Sequence, residues 1–177
     1  MISYNRPALR LVPGALDVPA GWGWFCGHCA APSPGGEPPA PVARVCRSCG
    51  LGLLLETRLD ALPTAQDAFI VVDAQLLVQA MSRRAEQLLT MSEDRAVHQP
   101  VSELLVPADA EVGKSGFAAA VAEAASGGGD PASVFVRPWN TFGVRMRVRI
   151  APCGPPRSAL LVLEAGPQRP LKAVQAR

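Results

Sequence analysis

Two pairs of cysteines, each separated by two residues, constrain the first third of the chain more than any other feature. Cys26 and Cys29 form the first pair, and Cys46 and Cys49 follow after sixteen intervening residues. Two cysteines at this spacing can turn both sulfur atoms toward one ion, and two such turns facing each other complete a tetrahedron of four thiolates. The spacing therefore predicts one structural zinc site, because four protein ligands leave no open position for a catalytic water.

Two disulfide bonds or a redox-active dithiol pair are the alternative interpretations of these cysteines. The N-terminus lacks the apolar core of a secretion signal, since Pro7, Pro13 and Pro19 interrupt it. The sequence also lacks the run of about 18 apolar residues that a membrane-spanning helix needs. We therefore expect a cytoplasmic protein without a membrane segment, in which a reducing environment favours a bound metal over disulfides.

The segment from about residue 22 to 53 resembles a zinc ribbon. The resemblance rests on the four cysteines, on Gly50 after the second pair, and on the flanking apolar residues Trp24, Phe25 and Val45. A glycine suits a turn in which backbone amides approach a sulfur atom. His28 lies inside the first pair, and we expect a surface residue there because the cysteines already fill the tetrahedron.

A leucine stripe follows the second cysteine pair. Leu55, Leu59 and Leu62 stand at positions i, i+4 and i+7, which predicts a connecting helix over residues 54–63 that ends at Pro63. A helix of this length is marginal in water and needs packing. We expect these leucines, together with the outer face of the sheet predicted further along the chain, to form the interface of a homodimer. The alternative is a monomer whose stripe packs within its own chain.

The pattern from residue 64 onward alternates short strands and short helices. Strands are predicted over residues 68–72 and 77–80, followed by helices over 83–90, 100–105 and 114–125, and by strands over 133–137, 142–151 and 158–164. Ser82 occupies the position of an N-cap for the first helix. The expected fold class is α+β, with a small zinc ribbon followed by this second domain.

This order of elements, from about residue 62 to 165, resembles a PAS domain. The matching residues are 68–73 for the opening strand and turn, and 77–89 for the second strand and first helix, with Ser82 in place of the usual Asn. The resemblance implies a five-stranded antiparallel sheet with short helices on one face; another small α+β fold is the alternative. It also implies a sensory or protein-interaction module. The residues offered as candidates for an internal ligand pocket are Phe117, Phe142, Met146 and Val148.

Haem and flavin are not expected in this domain. Light-sensing PAS relatives carry a cysteine in a helix, whereas Cys153 follows a predicted strand and is interpreted as a bystander thiol. Haem-binding relatives usually offer a histidine on the long helix, and the predicted helix over residues 114–125 has none. His98 lies in a polar connection and is interpreted as an ordinary loop residue.

An arginine stripe marks the longest predicted strand. Alternation places Arg145, Arg147 and Arg149 on one face, and Arg137 lies on the preceding strand. Such a row can meet a phosphate backbone or an acidic partner. The alternative is a solvated face whose arginines pair with acids from elsewhere in the chain. The formal net charge is +2 and the sequence has no basic tail, so charge does not decide between a bound partner and a solvated face.

These patterns divide the chain into an N-terminal segment with zinc ribbon (residues 1–53), the connecting helix (54–63), a PAS-like domain (64–165) and a flexible tail (166–177). The expected function is a cytoplasmic sensory or adaptor protein that acts through an unidentified signalling partner. The alternative is a nucleic-acid-binding transcriptional regulator that uses the zinc ribbon and the arginine stripe. The sequence shows no catalytic constellation, so we do not expect an enzyme.

Overall fold

A computed structural model describes residues 21–33, 39–40, 43–108, 116–139, 141 and 144–165. The N-terminal residues 1–20, the predicted tail over 166–177 and Phe142 lie outside the described residues.

Within the described residues the chain forms eight β-strands and three α-helices. The strands are β1 (Trp22–Cys26), β2 (Leu54–Arg58), β3 (Ala68–Asp73), β4 (Val78–Met81), β5 (Leu105–Pro107), β6 (Ala132–Pro138), β7 (Met146–Gly154) and β8 (Ser158–Ala165). The helices are α1 (Arg83–Leu89), α2 (Glu93–Ala96) and α3 (Phe117–Ala125), and single 3₁₀ turns lie at Leu59–Ala61 and Val101–Glu103. No helix in these described segments is long and apolar enough to cross a bilayer.

All eight strands belong to one curled antiparallel sheet. Its main order is β1-β2-β7-β8-β3-β4, with β6 beside β7 and β5 beside β6. The five strands expected from the sequence correspond to β3, β4, β6, β7 and β8, which is consistent with a PAS-like fold. The sheet has more than the expected five strands. Strands β1 and β2, which flank the two cysteine pairs (the cysteine segment), extend it beyond β7, and β5 adds an edge strand beside β6. The predicted helix over 100–105 is a 3₁₀ turn followed by β5.

Strand β7 pairs with β8 along one edge and with two strands, β6 and β2, along the other. Its first half pairs with β6, from Met146 opposite Val136 to Ile150 opposite Ala132. Its end pairs with β2, where Cys153 lies opposite Thr57 and Gly154 opposite Glu56. The buried Thr57 hydroxyl also donates to the carbonyl oxygen of Pro152 at 2.8 Å. The hairpin of β1 and β2 is therefore attached to the sheet by backbone and side-chain hydrogen bonds.

The two faces of the sheet have separate hydrophobic clusters. The inner cluster packs under α1 and α3 and includes Ile70, Val72, Val121, Met146, Val148 and Leu161. The outer cluster includes Phe25, Leu55, Phe69, Val71, Leu160 and Val162. The strands β3 and β8 read as continuous apolar runs because helices cover one of their faces and the cysteine segment covers the other.

The predicted connecting helix over residues 54–63 is wrong. Leu54–Arg58 forms β2, which pairs with β1 along its whole length, so its backbone groups are satisfied by a ladder that a ten-residue helix could not match. Leu55 is buried in the outer cluster and Leu62 packs against it, whereas Leu59 is 39% exposed on the 3₁₀ turn. A Cβ atom at Gly23 would lie 2.8 Å from Leu62 and 2.9 Å from Leu59. The leucines therefore pack within their own chain and form no helical stripe for a second copy.

The predicted N-cap of the first helix is confirmed. The Ser82 hydroxyl oxygen accepts from the backbone N–H of Ala85 at 3.2 Å and from that of Phe69 at 2.9 Å. One buried side chain thus fixes the start of α1 against strand β3.

Candidate metal centre

Two tight turns carry the cysteine pairs. In the first, the amide of Ala30 donates to the carbonyl oxygen of Cys26 at 3.0 Å, and in the second the amide of Gly50 donates to that of Cys46 at 2.8 Å. Gly50 has a φ of +71°, so the predicted need for glycine at this turn is met. An isolated bridge between Val45 and Leu53 closes the base of the second turn. The hairpin of β1 and β2 then holds the two turns against each other.

The four sulfur atoms of these turns have the geometry of a single tetrahedral site. All of them lie within 4.8 Å of one another. The Sγ atoms of Cys26 and Cys49 are 3.7 Å apart, and those of Cys29 and Cys46 are 3.8 Å apart. With zinc–sulfur bonds of about 2.3 Å, a regular tetrahedron has sulfur–sulfur edges of about 3.8 Å. The four cysteines can therefore hold one metal ion.

Disulfide bonds do not account for this geometry. A disulfide joins its sulfurs at about 2.05 Å, far below these separations. All five cysteines of the chain lie among the described residues and are free thiols. The cysteine turns therefore present thiol groups that can bind a metal ion.

Backbone amides and burial set the electrostatics of the thiols. The amides of His28 and Cys29 both donate to Cys26 Sγ at 3.4 Å, and that of Gly52 donates to Cys49 Sγ at 3.5 Å. Burial raises the pKa of Cys26 and of Cys29. Donation from the Gly52 amide lowers the pKa of Cys49 to about 6. A metal ion that binds here displaces the protons of the remaining thiols.

Gly52 is a residue of the site that sequence reasoning missed. A Cβ atom there would collide with Cys26 Sγ, and it would lie 2.7 Å from the Cβ of His28. The signal in the sequence was a second glycine, three residues after Cys49, in the run Cys49-Gly50-Leu51-Gly52. Close approach of the two turns therefore requires a residue without a side chain at this position.

His28 connects the first turn to the rest of the protein. It is half-buried, rather than on the open surface as the sequence suggested, and its Nδ1 lies 3.0 Å from Glu93 Oε2 at the start of α2. The other oxygen, Glu93 Oε1, accepts from the amide of Met81 at 2.9 Å. The Glu93 amide in turn donates to Glu86 Oε1 at 2.7 Å. Glu93 was not singled out from the sequence, which offers no local signal for a contact this distant.

The arginine stripe lies on the outer sheet face as alternation predicts. Arg149 pairs with Glu164 at 2.6 Å and donates to the carbonyl oxygen of Asp60 at 2.9 Å. Arg147 also approaches Glu164, at 3.9 Å, and donates to Ser133 at 3.1 Å. The guanidinium of Arg145 lies 4.0 Å from the ring centroid of Phe135, and Arg137 is half-buried on β6. The carboxylate of Glu164 therefore neutralises part of the stripe.

The candidate pocket residues belong to the inner core. Phe117, Met146 and Val148 are buried between the sheet and α3. Their role in ligand binding stays a prediction. Cys153 is buried in the outer cluster, and burial raises its pKa to about 12.

Comparison with known proteins gives a partial likeness. No protein-family profile and no curated protein matches the chain. The PAS domain of nitrogen regulation protein NR(II) from Vibrio parahaemolyticus is 19% identical, with a TM-score of 0.43, over 56% of this chain and 89% of that chain. A chain of the E. coli DhaR(N)–DhaL complex is 19% identical, with a TM-score of 0.38, over 56% of this chain and 31% of its own. At these values neither comparison carries an argument about fold or function.

Proposed function

We propose that the protein is a cytoplasmic sensory or adaptor protein without enzymatic activity, in which a PAS-like domain acts through a partner. The observation that supports this most is the integration of the cysteine segment into the sheet of that domain. Strand β2 pairs with β7, and Phe25 packs edge-on against Phe69 with ring centroids 5.8 Å apart. Burial of Phe25 and Leu55 contributes about 1.5–3 kcal/mol for each side chain. A conformational change in the cysteine segment would thus act directly on strands β3 and β7 of the sheet.

Zinc is the ion that we propose for the cysteine site. Cys26, Cys29, Cys46 and Cys49 would hold it, and zinc would supply a cross-link between the two turns. Four thiolates suit zinc, and a closed set of ligands suits a structural role over a catalytic one. Each turn contributes one buried cysteine, Cys26 or Cys46, and one partly exposed cysteine, Cys29 or Cys49. The ion would therefore lie near the protein surface.

An acidic protein is the partner that we propose for the open part of the outer sheet face. This arginine face consists of Arg137, Arg145, Arg147 and Arg149 with the exposed Phe135. A second copy would bring two arginine rows together, which charge repulsion opposes. Homodimerisation itself stays a prediction, and sedimentation of the purified chain at micromolar concentration tests it.

Nucleic acid is the second candidate for this face. It is favoured by one observation, the position of the arginines on the same side of the sheet as the cysteine module. Phosphate binding weakens steeply with salt and does not require the aromatic ring of Phe135.

A binding experiment separates the two candidates. The wild type and Arg145→Glu/Arg147→Glu are titrated with an acidic peptide library and with a 20-base-pair DNA duplex, at two salt concentrations. Arg95→Glu/Arg157→Glu, with two exposed arginines outside the face, is the matched control. We expect peptide binding that only the arginine-face variant loses. Duplex binding alone, with a steep salt dependence, would instead support the nucleic-acid candidate.

A further inference from the structure

A cleft of about 610 Å³ lies between the cysteine turns and α1. One wall is formed by the turns, with Cys29, Cys49 and Leu51, and the opposite wall by α1, with Arg83 and Arg84. Phe69 of the outer cluster contributes to its floor. This volume falls within the range of about 300–1,000 Å³ that is typical of small-molecule sites. The cleft, which we call the knuckle cleft, is separate from the core between sheet and helices.

The α1 wall of the knuckle cleft carries positive charge that no carboxylate neutralises. Arg84 donates to the side-chain oxygen of Gln66 at 2.7 Å and to that of Gln87 at 3.5 Å. These neutral amides orient the guanidinium but leave its charge in place. Over the part of the chain that the structure describes, neither Arg83 nor Arg84 forms an ion pair, and no residue lining the cleft is acidic. Arg84 is thus a cation held in position, with a second exposed cation beside it.

The two walls differ in a way that defines the ligand. Guanidinium groups bind carboxylates and phosphates, often through two parallel hydrogen bonds. The opposite wall offers the apolar side chain of Leu51. An occupant would therefore place an anionic group at α1 and an apolar body toward Leu51 and the floor.

We propose that the knuckle cleft binds a small organic anion with an apolar body, such as an aromatic carboxylate or phosphate ester. The occupant would contact both the cysteine turns and α1, while the contact of His28 with Glu93 joins the first turn to the start of α2. The inference rests on the proposed function only where the cleft is taken as the input site of a sensor. Binding itself is measured without any assumption about a partner.

The test uses the full chain loaded with zinc and labelled with ¹⁵N. Benzoate, phenyl phosphate and the neutral benzyl alcohol are titrated while the amide resonances of the protein are followed. We expect both anions to shift the amides of Leu51, Ala65 and Arg84 in a saturable manner. Benzyl alcohol, which shares the ring but lacks the charge, is expected to bind at least tenfold more weakly.

Variants decide whether the α1 arginines carry the binding. Arg83→Gln/Arg84→Gln is expected to weaken both anions at least tenfold, and the matched control Arg95→Gln/Arg157→Gln to leave their affinity unchanged. Equal losses in the two variants, shifts confined to the arginine face, or the absence of saturation would each overturn the proposal. If the anions fail to bind while the acidic peptide still binds the arginine face, this inference is wrong and the proposed function stands. If the anions bind while the peptide does not, the inference stands and the proposed partner is wrong.

Discussion

His28 and Glu93 are 65 residues apart in the sequence, and their side chains meet at 3.0 Å between Nδ1 and Oε2. The histidine lies between two cysteines of the candidate metal centre, and the glutamate begins helix α2. Because Glu93 also accepts the amide of Met81 at the end of β4, one carboxylate joins three separate elements. The contact therefore joins the first cysteine turn to the end of β4 and the start of α2.

Glu93→Ala is expected to lower the free energy of unfolding by about 1–3 kcal/mol, because it leaves the amide of Met81 and the ring of His28 without their acceptor. Urea denaturation followed by circular dichroism measures the loss. Glu103→Ala, which removes an exposed carboxylate from the 3₁₀ turn at Val101–Glu103, is the control and should change the value by less than about 0.5 kcal/mol. Equal effects of the two substitutions would show that the contact contributes nothing.

The chain purified without chelator is expected to contain one equivalent of zinc, which elemental analysis measures. Removal of the metal should unfold the β1–β2 hairpin. Neutral thiols form no cross-link and thiolates repel one another, so neither form holds the two turns together. The loss of amide signals from β1 and β2, with those of β8 retained, would report it. Less than half an equivalent of metal together with two disulfides would contradict the metal site.

Gly52→Ala is expected to weaken zinc binding strongly, since its new methyl group would occupy the space of Cys26 Sγ. Competition with a chromophoric chelator measures the affinity. Gly116→Ala is the matched control, because a Cβ there has no neighbour within 4 Å among the described atoms and φ is −61°. An unchanged affinity in Gly52→Ala would mean that the turns are farther apart than the structure places them.

Leu55→Ala is expected to destabilise the protein by about 2–5 kcal/mol, the range for a buried leucine, and Leu59→Ala by clearly less. Leu55 is 6% exposed in the outer cluster and Leu59 is 39% exposed. Chemical denaturation of both variants provides the comparison. Similar losses would instead favour the amphipathic helix that the leucine spacing predicts.

The Cys153 thiol is expected to be unreactive at neutral pH in the folded chain. Burial raises its pKa to about 12, so the thiolate fraction is minute at pH 7. The fraction rises about tenfold for each unit by which the pH is raised toward the pKa. Thiol counting with an aromatic disulfide reagent, carried out on the chain with its metal bound, should detect Cys153 only after urea is added. Rapid reaction of Cys153 before denaturation would show that β2 does not cover it.

The sequence was informative where chemistry depends on local spacing. The two cysteine pairs and the cap at Ser82 are each defined within a few residues, so the candidate metal site and the start of α1 could be predicted. The alternation of Arg145, Arg147 and Arg149 likewise placed the arginines on one sheet face, because strand periodicity is a local property.

The leucine stripe failed because its spacing fits more than one structure. Three leucines over eight residues satisfy a helical period, yet β1 offers the same segment a complete backbone ladder, which only the tertiary structure reveals. Contacts between distant segments, such as that of His28 with Glu93, leave no trace in local patterns. The same reason hid the knuckle cleft, whose walls come from segments more than 30 residues apart.

The attachment of β2 to the end of β7 sets an order of events during synthesis. Thr57 leaves the ribosome long before Pro152, whose carbonyl oxygen lies 95 residues further along the chain. The cysteine turns can therefore capture their ion while the strand that anchors them has not yet been made. In that interval Phe25 and Leu55 are without the sheet that later covers them. We therefore expect the first hairpin of the nascent chain to be open to pairing with a wrong strand edge until β7 has been made.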